Sequence, residues 1–241
     1  MARVVCFPHA GASAAVYRPW ALQMNPRIEV LAVQLPGRGD RLREKPLEKI
    51  ADLVEHILPD VSTLVDRPLA LFGHSMGSTL AFEIAAALAD TMPGCPSRVI
   101  VSARRPADVP DPRPPIGHLP DSEFLIELEK RYGPIPSEVR NEPEVLALFL
   151  PVLKADIRAL EHHQLNAGSG RIDCPIHAWG GREDPTTPVA HLEAWGRRTR
   201  TGHSVKLFDG GHFYLDPARA TVLREMEALI LGGRLDGVQA G

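Results

Sequence analysis

A chain of 241 residues, 44% of them hydrophobic, is long enough for one α/β domain with a full core. Its 27 basic and 30 acidic residues leave a formal charge of −3, which argues against a nucleic-acid binder. No apolar run approaches the roughly 20 residues that span a bilayer, no basic stretch leading into a long apolar one opens the chain, and Cys6, Cys95 and Cys174 are too few and scattered for a disulfide framework, so cytoplasmic residence is expected.

Residues 3–7 form the first short apolar run, with Cys6 inside it as a small buried hydrophobe. The small-residue loop Pro8-His9-Ala10-Gly11-Ala12-Ser13 follows, then a helix near 13–23. A second strand over 28–35 runs into Pro36-Gly37-Arg38-Gly39-Asp40, ahead of a helix near 47–64. A third apolar run, 68–72, leads into Gly73-His74-Ser75-Met76-Gly77 and a helix over 77–90. Strand, sharp turn and helix form the setting in which G-x-S-x-G holds an armed serine. A turn that tight brings strand and helix so close that a Cβ at either glycine clashes, and it puts the Ser75 hydroxyl on an exposed, strained bend.

A fourth strand lies over 98–102. The alternation then breaks, and no strand is legible from Pro106 to Gly170. A proline-rich connector opens this stretch, and helices follow over 121–131, 143–149 and 152–164. Asp121 fits the N-cap of the first, with Phe124, Leu125 and Leu128 as its apolar stripe. Val152, Leu153, Ile157 and Leu160 stand at helical spacing in the last. An insertion between two sheet strands is delivered to one end of the sheet, so residues 106–170 are expected to be a helical lid in preference to a side domain with no role in access, with Gly168-Ser169-Gly170 as either a hinge or a surface turn. Residues 1–105 and 171–241 then make the core. The fifth strand, 176–179, ends on Gly180-Gly181; a helix near 188–198 precedes the sixth, 205–208, which ends on Asp209-Gly210-Gly211; a helix over 216–231 closes the pattern. Alternating strands and helices imply a doubly wound, mostly parallel sheet whose site lies at the carboxyl ends of the strands.

A serine hydroxyl is a poor nucleophile at neutral pH; it needs a base, and the base an orienting acid. On this scaffold they follow in the order serine, acid, histidine. His212 sits on a Gly-Gly turn after the last strand and is the expected base. His203 precedes that strand, at the wrong end of the sheet, and His177 lies within a strand, where a packed core histidine is expected. Asp184 follows the fifth strand and is the expected acid, with Glu183 its nearest competitor and Asp209 a support for the histidine turn. The amides of Met76, at a helix N-terminus, and Ala10, in the first loop, are the expected oxyanion donors. His9 either lines the entrance or packs the loop. Ten histidines invite a metal, but His162 and His163 are adjacent and no H-x-x-x-H or C-x-x-C pair exists, so none is expected.

Cys-Phe-Pro-His-Ala-Gly-Ala-Ser (6–13), Leu-Pro-Gly-Arg-Gly-Asp-Arg (35–41), Gly-His-Ser-Met-Gly (73–77), Ser-Ala-Arg-Arg (102–105) and Gly-Gly-His-Phe-Tyr-Leu (210–215) together resemble the type II thioesterases. These are stand-alone editing hydrolases of polyketide and nonribosomal-peptide assembly lines. The resemblance runs from about residue 4 to residue 231 and implies an α/β-hydrolase fold. It also implies hydrolysis of acyl groups from acyl- or peptidyl-carrier proteins bearing phosphopantetheine, with no cofactor, nucleic acid or membrane involved. Fused relatives often carry their acid after the strand that follows the nucleophile; here that place reads Val101-Ser102-Ala103-Arg104, which sends the acid to Asp184. The first loop departs from the usual Ala-Gly-Gly, with Ala12 in the last position. Arg18, Arg38 and Arg41 are candidate cations for docking an acidic carrier, unless local carboxylates such as Asp40 or Glu44 take them. A carboxylesterase or lipase shares the same triad, and a non-catalytic adaptor for acylated carriers is a third class.

Overall fold

The computed structural model of the protein describes residues 1–163 and 170–232. The expected hinge residues Gly168 and Ser169 therefore lie outside the described residues, as do the expected end of the lid helix at Gln164 and the last residues of the core.

Among the described residues six strands form one sheet: β1 (Ala2–Phe7), β2 (Ile28–Ala32), β3 (Leu69–His74), β4 (Arg98–Ser102), β5 (Ile176–Gly181) and β6 (His203–Phe208). Their order is β2-β1-β3-β4-β5-β6, and every neighbouring pair is parallel. This is the α/β-hydrolase sheet in a wholly parallel form. Strand residues alternate between two cores, as the two-residue side-chain period requires. Val5, Phe7, Leu69, Leu71, Val99, Val101, Ile176 and Ala178 face one core. Val4, Cys6, Ala70, Phe72, Ile100 and Trp179 face the other.

Helices α2 (Ile50–Ser62) and α3 (Met76–Thr91) cover the first face, and α1 (Arg18–Gln23) and α8 (Arg219–Leu231) the second. α2 buries Ile50, Leu53, Ile57 and Val61, an i, i+3, i+7, i+11 stripe that places one face on the core. The expected helix near 13–23 is a 3₁₀ turn over Ala14–Tyr17 followed by α1; that near 188–198 is α7 (Val189–Glu193) and a further 3₁₀ turn. No helix among the described residues is long and apolar enough to cross a membrane.

Between β4 and β5 lie α4 (Asp121–Tyr132), the short α5 (Ser137–Arg140) and α6 (Pro143–His162). Two expectations are corrected here. Asp121 is the first helical residue, not the cap: Pro120 holds that place, and the Asp121 carboxylate instead accepts a 2.8 Å bond from Lys154 Nζ on α6. The stretches expected as separate helices over 143–149 and 152–164 are one helix with Pro151 inside it. A proline there costs about 3 kcal/mol. Burying Leu150, Leu153, Ile157 and Leu160 returns about 1.5–3 kcal/mol each, so packing carries the helix through. Ile116, Phe124, Leu128 and Ile135 join the α6 residues in a small core of their own, against which Ala10 of the first sheet loop packs.

Candidate active site

β3 ends in the centre of the sheet, and the chain reverses directly into α3. A Cβ on Gly73 would fall 1.9 Å from the Gly77 carbonyl oxygen, and one on Gly77 2.0 Å from that of Phe7. Ser75, at the bend, has φ 53° and ψ −115°, a left-handed conformation that a non-glycine residue adopts at a cost of about 1–3 kcal/mol. The bend is pinned from the side. Ser75 N–H donates to the Ser102 carbonyl at 2.8 Å. The Ser78 hydroxyl lies 2.8 Å from the carbonyls of both Gly73 and Ser102 and accepts from Ser102 N–H at 2.8 Å.

His212 and Asp184 come from the ends of β6 and β5. The two loops touch backbone to backbone: Glu183 N–H donates to the Gly210 carbonyl at 3.0 Å, and a Cβ on Gly181 would stand 2.2 Å from the Gly211 carbonyl oxygen. That contact sends the Asp184 side chain inward and leaves Glu183 exposed. His212 Nδ1 donates to Asp184 Oδ2 at 2.8 Å, and Ser75 Oγ lies 3.1 Å from His212 Nε2. Asp184 Oδ1 accepts from the amide and the hydroxyl of Thr186, at 2.8 and 2.7 Å. Burial alone would raise the Asp184 carboxyl; the bonds from His212 and Thr186 outweigh it and hold the group below the usual carboxylate range. An ionised Asp184 fixes the proton on Nδ1, so Nε2 is free to accept the serine proton.

The first loop lies beside this chain of bonds. Gly11 N–H donates to Asp156 Oδ2 at 2.7 Å and Ala12 N–H to the His9 carbonyl at 3.1 Å, which leaves the Ala10 N–H, among the described residues, without an acceptor. Met76 N–H opens α3, where first-turn amides have no intrahelical partner. Ala10, Ser75 and His212 all line one cavity of about 110 Å³, whose far wall is Leu128, Ile135, Phe149, Leu153 and Ile157 of the insertion. Of the apolar residues at helical spacing in the insertion, Leu128, Phe149, Leu153 and Ile157 thus turn toward the serine, while Phe124 and Leu150 pack inside it.

His9 does both things expected of it. Its Nδ1 donates to the Ala10 carbonyl at 3.0 Å, its ring packs edge-on to Phe213, and it lines the cavity. Burial pushes its pKa down to about 4, so it stands neutral at physiological pH. His177 is a core histidine, with Nδ1 2.8 Å from Ser204 Oγ, and His203 sits at the opposite end of the sheet, bonded to the Leu192 carbonyl. Asp209 is exposed and pairs with Arg182, tying the acid and base turns together from outside. The place after β4 holds a neutral network in lieu of a carboxylate: Ser102 Oγ is 2.8 Å from His74 Nδ1 and 2.6 Å from the Tyr214 hydroxyl, and burial keeps His74 uncharged.

Of the three candidate docking cations, carboxylates take two: Glu44, the alternative left open by the sequence, and Asp156, from far along the chain. Arg38 is buried, and its guanidinium binds both oxygens of Asp156 at 2.6 and 2.8 Å. Arg41 is tied to Glu44 and to the Gln34 carbonyl. Only Arg18 of the three stands exposed. Three residues near the site escaped sequence reasoning. Thr186 gave no signal. Tyr132, whose ring centre is 4.9 Å from that of His212, ends a helix with nothing to mark it. Asp156 did carry one: a carboxylate at helical spacing among Val152, Leu153, Ile157 and Leu160 is a charge on a buried stripe and calls for a partner.

A model of the thioesterase domain matches residues 2–230. The thioesterase PikA5 of Streptomyces venezuelae is 36% identical over 216 residues, covering 89% of this chain and 75% of that protein. The gramicidin S biosynthesis protein GrsT of Aneurinibacillus migulanus is 32% identical over 224 residues, with 93% and 87% covered. Among solved structures, the type II thioesterase BorB from the borrelidin biosynthetic cluster is 36% identical and superimposes with a TM-score of 0.83, over 95% of this chain and 91% of that one.

Proposed function

The chain belongs to the thioesterase family, among the type II enzymes of polyketide and nonribosomal-peptide clusters, and we propose that it hydrolyses acyl groups from phosphopantetheine-bearing carrier proteins with Ser75, His212 and Asp184 as its catalytic triad. The enzyme is a thioester hydrolase that edits such assembly lines. The observation that carries the residue assignment is the unbroken chain Ser75 Oγ, His212 Nε2, His212 Nδ1, Asp184 Oδ2, at 3.1 and 2.8 Å.

Ser75 attacks the thioester carbonyl as His212 takes its proton. The negative charge that forms on the carbonyl oxygen is met by the Ala10 and Met76 amides, each worth about 3 kcal/mol in the transition state. His212 returns the proton to the departing thiol. Water then enters and attacks the acyl carbon while giving a proton to the same imidazole, which passes it to Ser75 Oγ as the acyl–oxygen bond breaks and the acid leaves. The insertion between β4 and β5 is a lid: it roofs the acyl cavity with Leu128, Phe149, Leu153 and Ile157 and keeps bulk water off the acyl-enzyme. The reaction belongs in the cytoplasm, and the buried, unpaired Cys6 and Cys174 suit a reducing compartment. Burial pushes the Cys174 thiol up to about 12, which keeps it inert.

The test is hydrolysis of acyl groups loaded on acyl- and peptidyl-carrier proteins, set against oxygen esters of the same acids. Loaded carriers are expected to be the better substrates, and a fluorophosphonate probe is expected to label the wild type and leave Ser75→Ala untouched. A preference for oxygen esters would favour a carboxylesterase; labelling that survives in Ser75→Ala would overturn the nucleophile.

A further inference from the structure

Beyond the acyl cavity, on the other side of Tyr132, a second cavity of about 440 Å³ opens between the end of β4 and the insertion. Arg104, Arg105, Arg113 and Arg131 all face it. Its carboxylates do not balance them. Asp111 takes Arg105 and Arg113 together, at 3.0 and 2.9 Å. Asp108 is engaged by Arg198 at 2.9 Å, and Glu161 accepts from the amides of Ile116 and Gly117. Arg131 donates to the Pro114 carbonyl, at 2.7 Å, and makes no ion pair within 4 Å among the described residues. The half-buried Arg104 side chain has no hydrogen bond or ion pair among the described residues, although its backbone carbonyl is held by the Trp195 indole at 2.8 Å. Burial pushes Arg104 below its ordinary pKa, with Arg105 and Arg113 pushing the same way and Tyr132 and Asp111 only partly opposing them, so an anion here would relieve desolvation and repulsion.

The two cavities share Tyr132, Ile157 and Leu160 as walls. The Tyr132 ring centre is 4.9 Å from that of His212 and 5.8 Å from the Arg113 guanidinium carbon. The cationic wall therefore begins one aromatic ring away from the base. We propose that this cavity is an anion subsite that takes the phosphate at the far end of the thiol-bearing arm of the substrate. The proposal rests on the thioesterase reading above. A carboxylate on a short acyl chain in the apolar cavity stays next to Ser75, on the near side of Tyr132. A phosphate on a long flexible arm has the reach to lie beyond it, and its oxygens match guanidinium donors in geometry and charge.

The test compares phosphopantetheine with pantetheine, which differ only in the phosphate, as free ligands by calorimetry and as hexanoyl thioesters by kcat/KM. The proteins are the wild type, Arg104→Gln, Arg104→Lys and Arg131→Gln. The wild type is expected to favour the phosphorylated compound by about tenfold or more, chiefly through KM. In Arg104→Gln that ratio should fall toward one, and Arg104→Lys should restore part of it. If Arg104→Gln does not fold, Arg131→Gln reads the same ratio. A wild-type ratio near one, or an unchanged ratio in a folded Arg104→Gln, would overturn the subsite. An adipoyl thioester favoured over hexanoyl only while Arg104 is present would assign the cavity to an acyl carboxylate and overturn the phosphate. If neither thioester is hydrolysed yet phosphopantetheine binds tighter than pantetheine, the subsite stands and the thioesterase reading fails.

Discussion

Ser75 is held where an L-residue is strained, and the strain is separable from the chemistry. Removing the hydroxyl as Ser75→Ala keeps the left-handed backbone and its cost; Ser75→Gly relieves it. Both variants are expected to be inactive, with the glycine variant more stable by about 1 kcal/mol, some 2–4 °C in Tm. Equal melting temperatures would show that the bend carries no strain. The second residue-scale prediction concerns Asp184. Asp184→Asn removes the charge that fixes the His212 tautomer and is expected to lower kcat about 10⁴-fold. Thr186→Val deletes one of two Thr186 bonds to Asp184 and should lower kcat about tenfold with little change in KM, since it acts through the acid. A wild-type kcat in Thr186→Val would reduce that residue to packing. The choice of Asp184 over Glu183 was open in the sequence because the loop's geometry was unknown; the backbone contact between Glu183 and Gly210 turns one inward and the other out.

At the scale of elements, α6 is joined to the first sheet loop by a buried ion pair. Asp156 binds Arg38 from the loop after β2 and the Gly11 amide next to Ala10, and a Cβ on Gly11 would meet the Phe149 ring at 2.7 Å. The insertion therefore presses on the loop that carries the proposed oxyanion donor, Ala10. Asp156→Ala strands the Arg38 charge and is expected to cost about 3–5 kcal/mol, roughly 10 °C in Tm. Arg38→Met combined with Asp156→Leu should recover most of that stability, because the pair's desolvation is removed with it. It still leaves the Gly11 amide unheld, so kcat is expected to stay about tenfold low while KM changes little. A double variant with wild-type kcat would show that the link is structural only. Arg38 was legible as a cation and not as a buried one, since its partner lies 118 residues away.

For the whole molecule, sheet and insertion together define what the enzyme accepts. The cavity at Ser75 is small and walled by apolar side chains. Each added methylene that it buries is worth about 0.8 kcal/mol. Four methylenes separate acetyl from hexanoyl, so turnover of carrier-bound acetyl, propionyl, butyryl and hexanoyl groups is expected to vary by no more than about two-hundredfold. Malonyl should be at least about tenfold poorer than propionyl, because its carboxylate would be desolvated beside Leu128 and Phe149 without a partner. A malonyl preference would overturn the assignment of this cavity to the acyl group.

The sequence by itself determined which turns follow strands, among them the serine bend after the third and the histidine turn after the sixth. Those features are written in local backbone chemistry, in glycines where a Cβ has no room and in apolar runs of strand length. It also determined the sheet's parallel class, because alternating strands and helices admit little else. Only the tertiary structure decided which carboxylate reaches His212, where Arg38 goes, that α6 runs through Pro151, and that four arginines gather behind Tyr132. Each of these depends on contacts between residues far apart in the chain, whose geometry no local pattern contains.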